Sequence, residues 1–135
     1  MAGRTSTLDT ARAREEWSAV IEHLMSKIEK WAREEDWQVA RLAKREITES
    51  ALGTYSVSDL RIRTASGVLN VEVVARNVIG ADGRVDLVAF PSLDRFMLIR
   101  TGGKWVIETD SGGSWPGKWG KKAFLELAQS LTKAP

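Results

Sequence analysis

Gly112, Gly117 and Lys118 have the spacing Gly-x4-Gly-Lys, the opening of a loop whose backbone amides cradle phosphate and whose lysine reaches the terminal phosphoryl groups. The match stops there. The next position must offer a hydroxyl to magnesium but carries Trp119, and Pro116 withholds one backbone donor from the cradle. Nucleotide hydrolysis is therefore not expected, and no cofactor is called for. The same stretch carries a second kind of chemistry. Trp115, Lys118, Trp119, Lys121 and Lys122 place two indoles and three ammonium groups within eight residues, a set that can stack on a flat group and attract negative charge. Lysines in the first turn of a helix also oppose its dipole unless an anion or an acidic partner compensates. Against this stands a plainer reading, in which both indoles fold back over a sheet edge and the lysines are merely solvated.

Asp86 is a lone carboxylate in the apolar run 85–90, where an ionised group needs a paired cation or several donors. Arg76, Arg95 and Arg100 are its candidate partners in a buried ion pair. Arg100 also falls opposite Trp105 across a tight turn, a geometry for cation–π contact. A metal-dependent nuclease could be imagined from Asp86 and Glu108 with Lys104, provided the three converge, but the spacing gives no reason for them to do so. The single histidine, His23, has Lys27 one helical turn later and reads as a surface or boundary residue. With no cysteine and no ligand spacing around it, it suggests no metal site. Serines occur without a Gly-x-Ser-x-Gly elbow, so no nucleophilic triad is indicated. No catalytic residue is assigned.

The elements that must position these groups are legible in the apolar pattern. Trp17, Val20, Ile21, Leu24, Ile28 and Trp31 recur at steps of three and four, predicting a long amphipathic helix capped by Asp9 or Thr10. Its other face carries Arg14, Glu15, Glu22, Glu29, Lys30 and Arg33. Residues 37–50 fit either a helix or one face of a strand and are assigned to one long strand. Beyond Gly53, residues 55–64 and 68–77 alternate as half-exposed strands, and 85–90 reads as a central strand ended by Pro91. Residues 96–101 and 104–110 flank the turn Gly102-Gly103. A two-residue loop fixes their register, with Thr101 facing Lys104, Arg100 facing Trp105 and Leu98 facing Ile107. After the polar connector 111–114, Phe124, Leu125, Leu127, Ala128 and Leu131 describe a short closing helix.

Connections this short favour antiparallel neighbours. The expectation is an α+β fold: an antiparallel meander of about five or six strands packed on one face by a long N-terminal and a short C-terminal helix. Residues 1–135 form a single domain, with 1–8 expected to be disordered. The architecture resembles cystatin-like helix-on-sheet domains, a likeness that implies no activity. Four stretches go further: Gly83-Arg84-Val85-Asp86-Leu87, Phe90-Pro91-Ser92-Leu93, Trp105-Val106-Ile107-Glu108-Thr109-Asp110-Ser111-Gly112, and residues 119–131. Together they resemble a family of small uncharacterised bacterial proteins, which implies a fold and no functional residue.

Composition narrows the function classes. Twenty basic and 18 acidic side chains leave a net charge of +2, too even for a protein that neutralises many phosphates, so nucleic-acid binding would be weak. No stretch approaches the length of a membrane-spanning helix, the first ten residues carry no apolar leader core, and cysteine is absent. A cytoplasmic location is expected. Six tryptophans in 135 residues must each lie in the core or in a binding surface. The reading that follows is a non-enzymatic protein-interaction module, using its open sheet face or the segment from Trp115 to Lys122, with homodimerisation through a sheet edge as a further option. The alternatives are a small-molecule or anion-binding domain with a pocket between the first helix and the sheet, or a weak nucleic-acid binder.

Overall fold

Of the expected stripe Trp17, Ile21, Leu24 and Ile28 are buried and Val20 and Trp31 half-buried; Met25 and Ala32, which the spacing did not single out, complete the face by which helix α1 (Thr7–Glu34) covers a sheet. The computed structural model describes residues 7–133. Because α1 already includes Thr7, Asp9 lies inside the first turn, where its charge complements the helix dipole, and does not act as the cap. The expectation of disorder for 1–8 falls largely on residues 1–6, outside the described part. At the other end the Asp36 and Trp37 amides donate to the Arg33 and Ala32 carbonyls, and Asp36 adopts φ 60°. This is a left-handed helix stop of the Schellman kind, with aspartate where glycine is commoner.

Eight strands follow among the described residues: β1 (Gln38–Arg41), β2 (Arg45–Glu49), β3 (Gly53–Val57), β4 (Leu60–Arg63), β5 (Val68–Ala75), β6 (Arg84–Phe90), β7 (Arg95–Thr101) and β8 (Lys104–Thr109). Six form an antiparallel sheet in the order β1-β4-β5-β6-β7-β8, and helix α2 (Lys121–Thr132) closes the chain. The α+β meander with two helices is therefore the observed architecture. The β7–β8 register is the expected one, Thr101 with Lys104, Arg100 with Trp105 and Leu98 with Ile107. Gly102 and Gly103, at φ 57° and 78°, supply the two positive dihedrals that such a turn requires.

Two strand assignments need correction. Residues 37–50 are not one strand: the chain leaves the sheet after Arg41, and β2 pairs only with β3 in a separate two-stranded ribbon. Residues 55–64 likewise divide into β3 and β4 around Asp59. The cause is that β5 outlasts β4. Beyond the Leu60–Val71 pair the Val73 amide has no strand partner on that side, and the Asp59 carboxylate accepts its hydrogen bond at 3.0 Å. The same carboxylate takes two bonds from Arg45, at 2.7 and 3.1 Å, and so ties the base of the ribbon to the sheet margin. Apolar periodicity runs through both breaks, which is why it does not reveal them.

One sheet face, with Val39, Ile62, Val71, Leu87, Leu98 and Ile107, packs against both helices. Phe124, Leu127 and Ala128 bring α2 into the same core. Residues after β8 return along its outer edge: Ser114 bridges to Glu108, and the Trp115 amide donates to the Ile107 carbonyl at 3.1 Å. That return shields an edge that would otherwise be open to pairing.

Candidate functional site

Three parts of the chain meet beside α1. His23, Lys27 and Trp31 are four residues apart, so they line up along one side of α1. The β7–β8 turn contributes Lys104 and Trp105, and the return segment contributes Lys118 and Trp119. Two hollows result. One, of about 450 Å³, is lined by Gly103, Lys104, Trp105, Val106, Gly117, Lys118 and Trp119. The other, of about 250 Å³, is lined by His23, Leu24, Lys27, Trp31, Trp105, Trp119 and Gly120. They adjoin at the indoles of Trp105 and Trp119, and the two together are called the groove.

The indoles are held from behind. Trp119 meets Trp31 edge to face with ring centroids 5.7 Å apart and Phe124 at 6.2 Å, while Trp105 lies 6.4 Å from Trp17. The Arg100 guanidinium carbon sits 5.4 Å from the Trp105 ring centroid. All three groove tryptophans are half-buried, leaving part of each ring on the surface. The electrostatics are one-sided. Lys27, Lys104 and Lys118 are exposed, none is in an ion pair among the described residues, and neither hollow is lined by a carboxylate. Like charges gathered around apolar rings favour an anionic partner with apolar content.

Of the five residues singled out between 115 and 122, Lys118 and Trp119 line this groove. Trp115 instead packs edge to face on Phe96 at 5.3 Å. Lys121 pairs with Glu34 at 3.0 Å, the acidic partner that offsets its unfavourable position at the start of α2. Lys122 is exposed on α2 and lines neither hollow. Reading the segment alone missed Trp31, Trp105, Lys27 and Lys104. The four-residue spacing of His23, Lys27 and Trp31 was the one available signal for the α1 contribution.

The phosphate-loop spacing has no phosphate-loop geometry behind it. The amides of Gly112, Gly113 and Trp115 donate to the Thr109 carbonyl, the Thr109 hydroxyl and the Ile107 carbonyl, so they do not point into a cradle. Helix α2 begins only at Lys121, three residues beyond Lys118.

Asp86 is 1% exposed and is bound by Arg84, at 2.8 and 2.9 Å, and by Arg95 at 2.9 Å. Arg76 and Arg100 are not its partners. Strand parity excludes Arg100, since Asp86 faces Met97 and Arg100 therefore points to the helix side with Trp105. Arg76 lies past the β5 bulge, where its amide donates to Glu49 and its guanidinium to Asn77. Glu108 shares the Asp86 face but lies two strands away, about 10 Å, and Lys104 is four residues further along β8, about 13 Å. These three groups do not converge, and among the described residues no cluster of three His, Asp or Glu side chains could hold a metal.

A carboxylate set of a different kind supports the ribbon. Glu49 accepts the Tyr55 hydroxyl and the amides of Arg76 and Asn77, at 3.0 and 2.8 Å for the amides. Burial alone would raise its pKa, but these donors outweigh it and hold the carboxyl below the usual range. Burial and the Glu49 carboxylate together push the Tyr55 phenol well above its ordinary value.

Compared with family models, with curated proteins and with solved structures, the chain finds no match. No helix among the described residues is long and apolar enough to cross a membrane.

Proposed function

We propose that the chain is a non-enzymatic cytoplasmic interaction module whose groove, walled by Trp31, Trp105 and Trp119 and rimmed by Lys27, Lys104 and Lys118, binds an acidic segment of another protein. The carrying observation is that two adjoining hollows share two indoles and are lined by three unpaired lysines and a histidine without one carboxylate. Indoles give an apolar side chain a rigid surface at little entropic cost, and the lysines provide attraction and specificity for negative charge. The shallow, open form of the groove suits an extended segment. The absence of cysteine is in keeping with a reducing compartment.

The test is a tryptophan-emission titration with a synthetic peptide of alternating glutamate and leucine. Saturable binding is expected, weakened at least about tenfold by combining Lys104→Glu with Lys118→Glu, the equivalent of about 1.4 kcal/mol. Equal binding by the charge-reversed protein would sink the proposal. Tighter binding of a single-stranded oligonucleotide than of the peptide would transfer the groove to nucleic acid, and steep salt dependence would accompany it.

A further inference from the structure

Another hollow, of about 490 Å³, lies between the middle of α1, residues 17–25, and strand β3, with Arg41 and Lys44 at its side. We infer that this cleft is a second binding site, for a small molecule with a flat or apolar body and a single acidic group.

Trp17, Ile21 and Met25 from α1 form the floor with Tyr55 and Val57 from β3. Its shape is set by directional bonds. The Trp17 indole N–H donates to the Tyr55 oxygen at 3.2 Å, the Tyr55 hydroxyl donates to Glu49, and Glu49 is held by two backbone amides. On the far side the Arg14 guanidinium donates to the Leu52 carbonyl at 2.8 Å and fixes the ribbon tip to α1. A preformed apolar floor of this size falls within the range of small-ligand sites.

The rim carries polar groups that the fold does not use. Ser18, Ser56 and Ser58 line the cleft, and their hydroxyls make no hydrogen bond among the described residues. Arg41 lines it too but is already engaged, by Glu22 at 3.0 Å and Glu29 at 3.1 Å. Lys44 is exposed at the mouth and has no carboxylate bonded to it. One available ammonium beside a lining glutamate, Glu22, matches a monoanion and disfavours a polyphosphate, whose extra charge would meet Glu22 without compensation. The free Ser18 hydroxyl, one helical turn before Glu22 on the same side of α1, can orient a carboxylate or sulfonate next to the ammonium.

The probe is 8-anilinonaphthalene-1-sulfonate, an aromatic monoanion, with its uncharged parent 1-anilinonaphthalene as comparison. One saturable site is expected, with the anion at least about fivefold tighter than the neutral dye. Lys44→Glu should remove that preference, and Ser18→Trp, which fills the cleft from an exposed position on α1, should abolish binding. Cooperative melting of both variants at the wild-type midpoint confirms that they fold. Lys118→Glu, which alters the groove, should leave dye binding unchanged. Equal affinity for the two dyes, or full binding by Ser18→Trp, overturns the inference. Loss of dye binding in Lys118→Glu would place the dye in the groove and overturn it equally.

Discussion

The two halves of α1 are fastened by different physics. Toward its N-terminus, directional polar bonds hold the ribbon: Arg14 to Leu52, Trp17 to Tyr55, Tyr55 to Glu49. Toward its C-terminus the buried contacts are rings, with Trp31, Trp37 and Trp119 each within about 6 Å of Phe124, and the ion pairs of Glu22 and Glu29 with Arg41 and of Glu34 with Lys121 lie exposed around them. Hydrogen bonds of this kind specify an angle, and a buried donor left unmade is costly. Edge-on ring contacts contribute area and tolerate small rotations. The polar end thus keeps a cleft of set shape, and the aromatic end offers a groove whose walls can adjust to what enters. On the proposed reading, one helix would serve a selective pocket and an accommodating surface.

The sharpest way to break the aromatic end is Phe124→Ala. The ring is fully buried and three tryptophans rest on it, so a loss of about 3–5 kcal/mol in denaturant unfolding is expected, with groove binding lost as well. The polar end has its own steric pin. A Cβ on Gly83 would come within 2.4 Å of the Trp17 ring, which is 3% exposed and tied to Tyr55, so it cannot swing aside. Gly83→Ala should cost about 1–3 kcal/mol and reshape the cleft before the groove.

Glu49→Gln sharpens the comparison further, with an expected loss of about 1–2 kcal/mol at neutral pH. Its folded-state pKa is depressed, so its contribution is complete above the unfolded value near 4.3 and is lost as pH falls through the folded one. Thermal midpoints measured from pH 7 down to pH 3 should therefore fall more steeply for the wild type than for the variant, and the two curves should draw together in acid. Glu22, held low by its bonds from Arg41, and Glu29, held low by those from Arg33, remain in both proteins and cancel in the difference. The smallest effect belongs to Lys121→Ala. Both Lys121 and Glu34 are a little over two-fifths exposed, and their pair should change stability by less than about 0.5 kcal/mol.

The pattern of legibility follows from the same contrast. The α1 stripe and the β7–β8 register could be read because each depends on local period or turn chemistry, which neighbours in sequence determine. The ribbon could not. Val39, Ala43 and Ile47 keep a strand-like period straight through the point where the chain leaves the sheet, and what holds it there is the distant Asp59, whose carbonyl accepts the Leu42 amide and whose carboxylate binds Arg45. The Asp86 partners were half legible. Arg84 is two residues away on the same strand face and could have been named by parity alone; Arg95 was named; Arg100 violated parity. The groove was legible only at Lys118 and Trp119, since Trp105 and Trp31 arrive from other elements through tertiary packing.

The most direct test uses the six indole N–H resonances, which report each tryptophan separately in a nitrogen–proton correlation spectrum. On titration with the glutamate–leucine peptide, the Trp105, Trp119 and Trp31 signals should move in a saturable manner while those of Trp37 and Trp115 stay in place. Unmoved signals at Trp105 and Trp119, or shifts centred on Trp115, would contradict the groove as the binding surface.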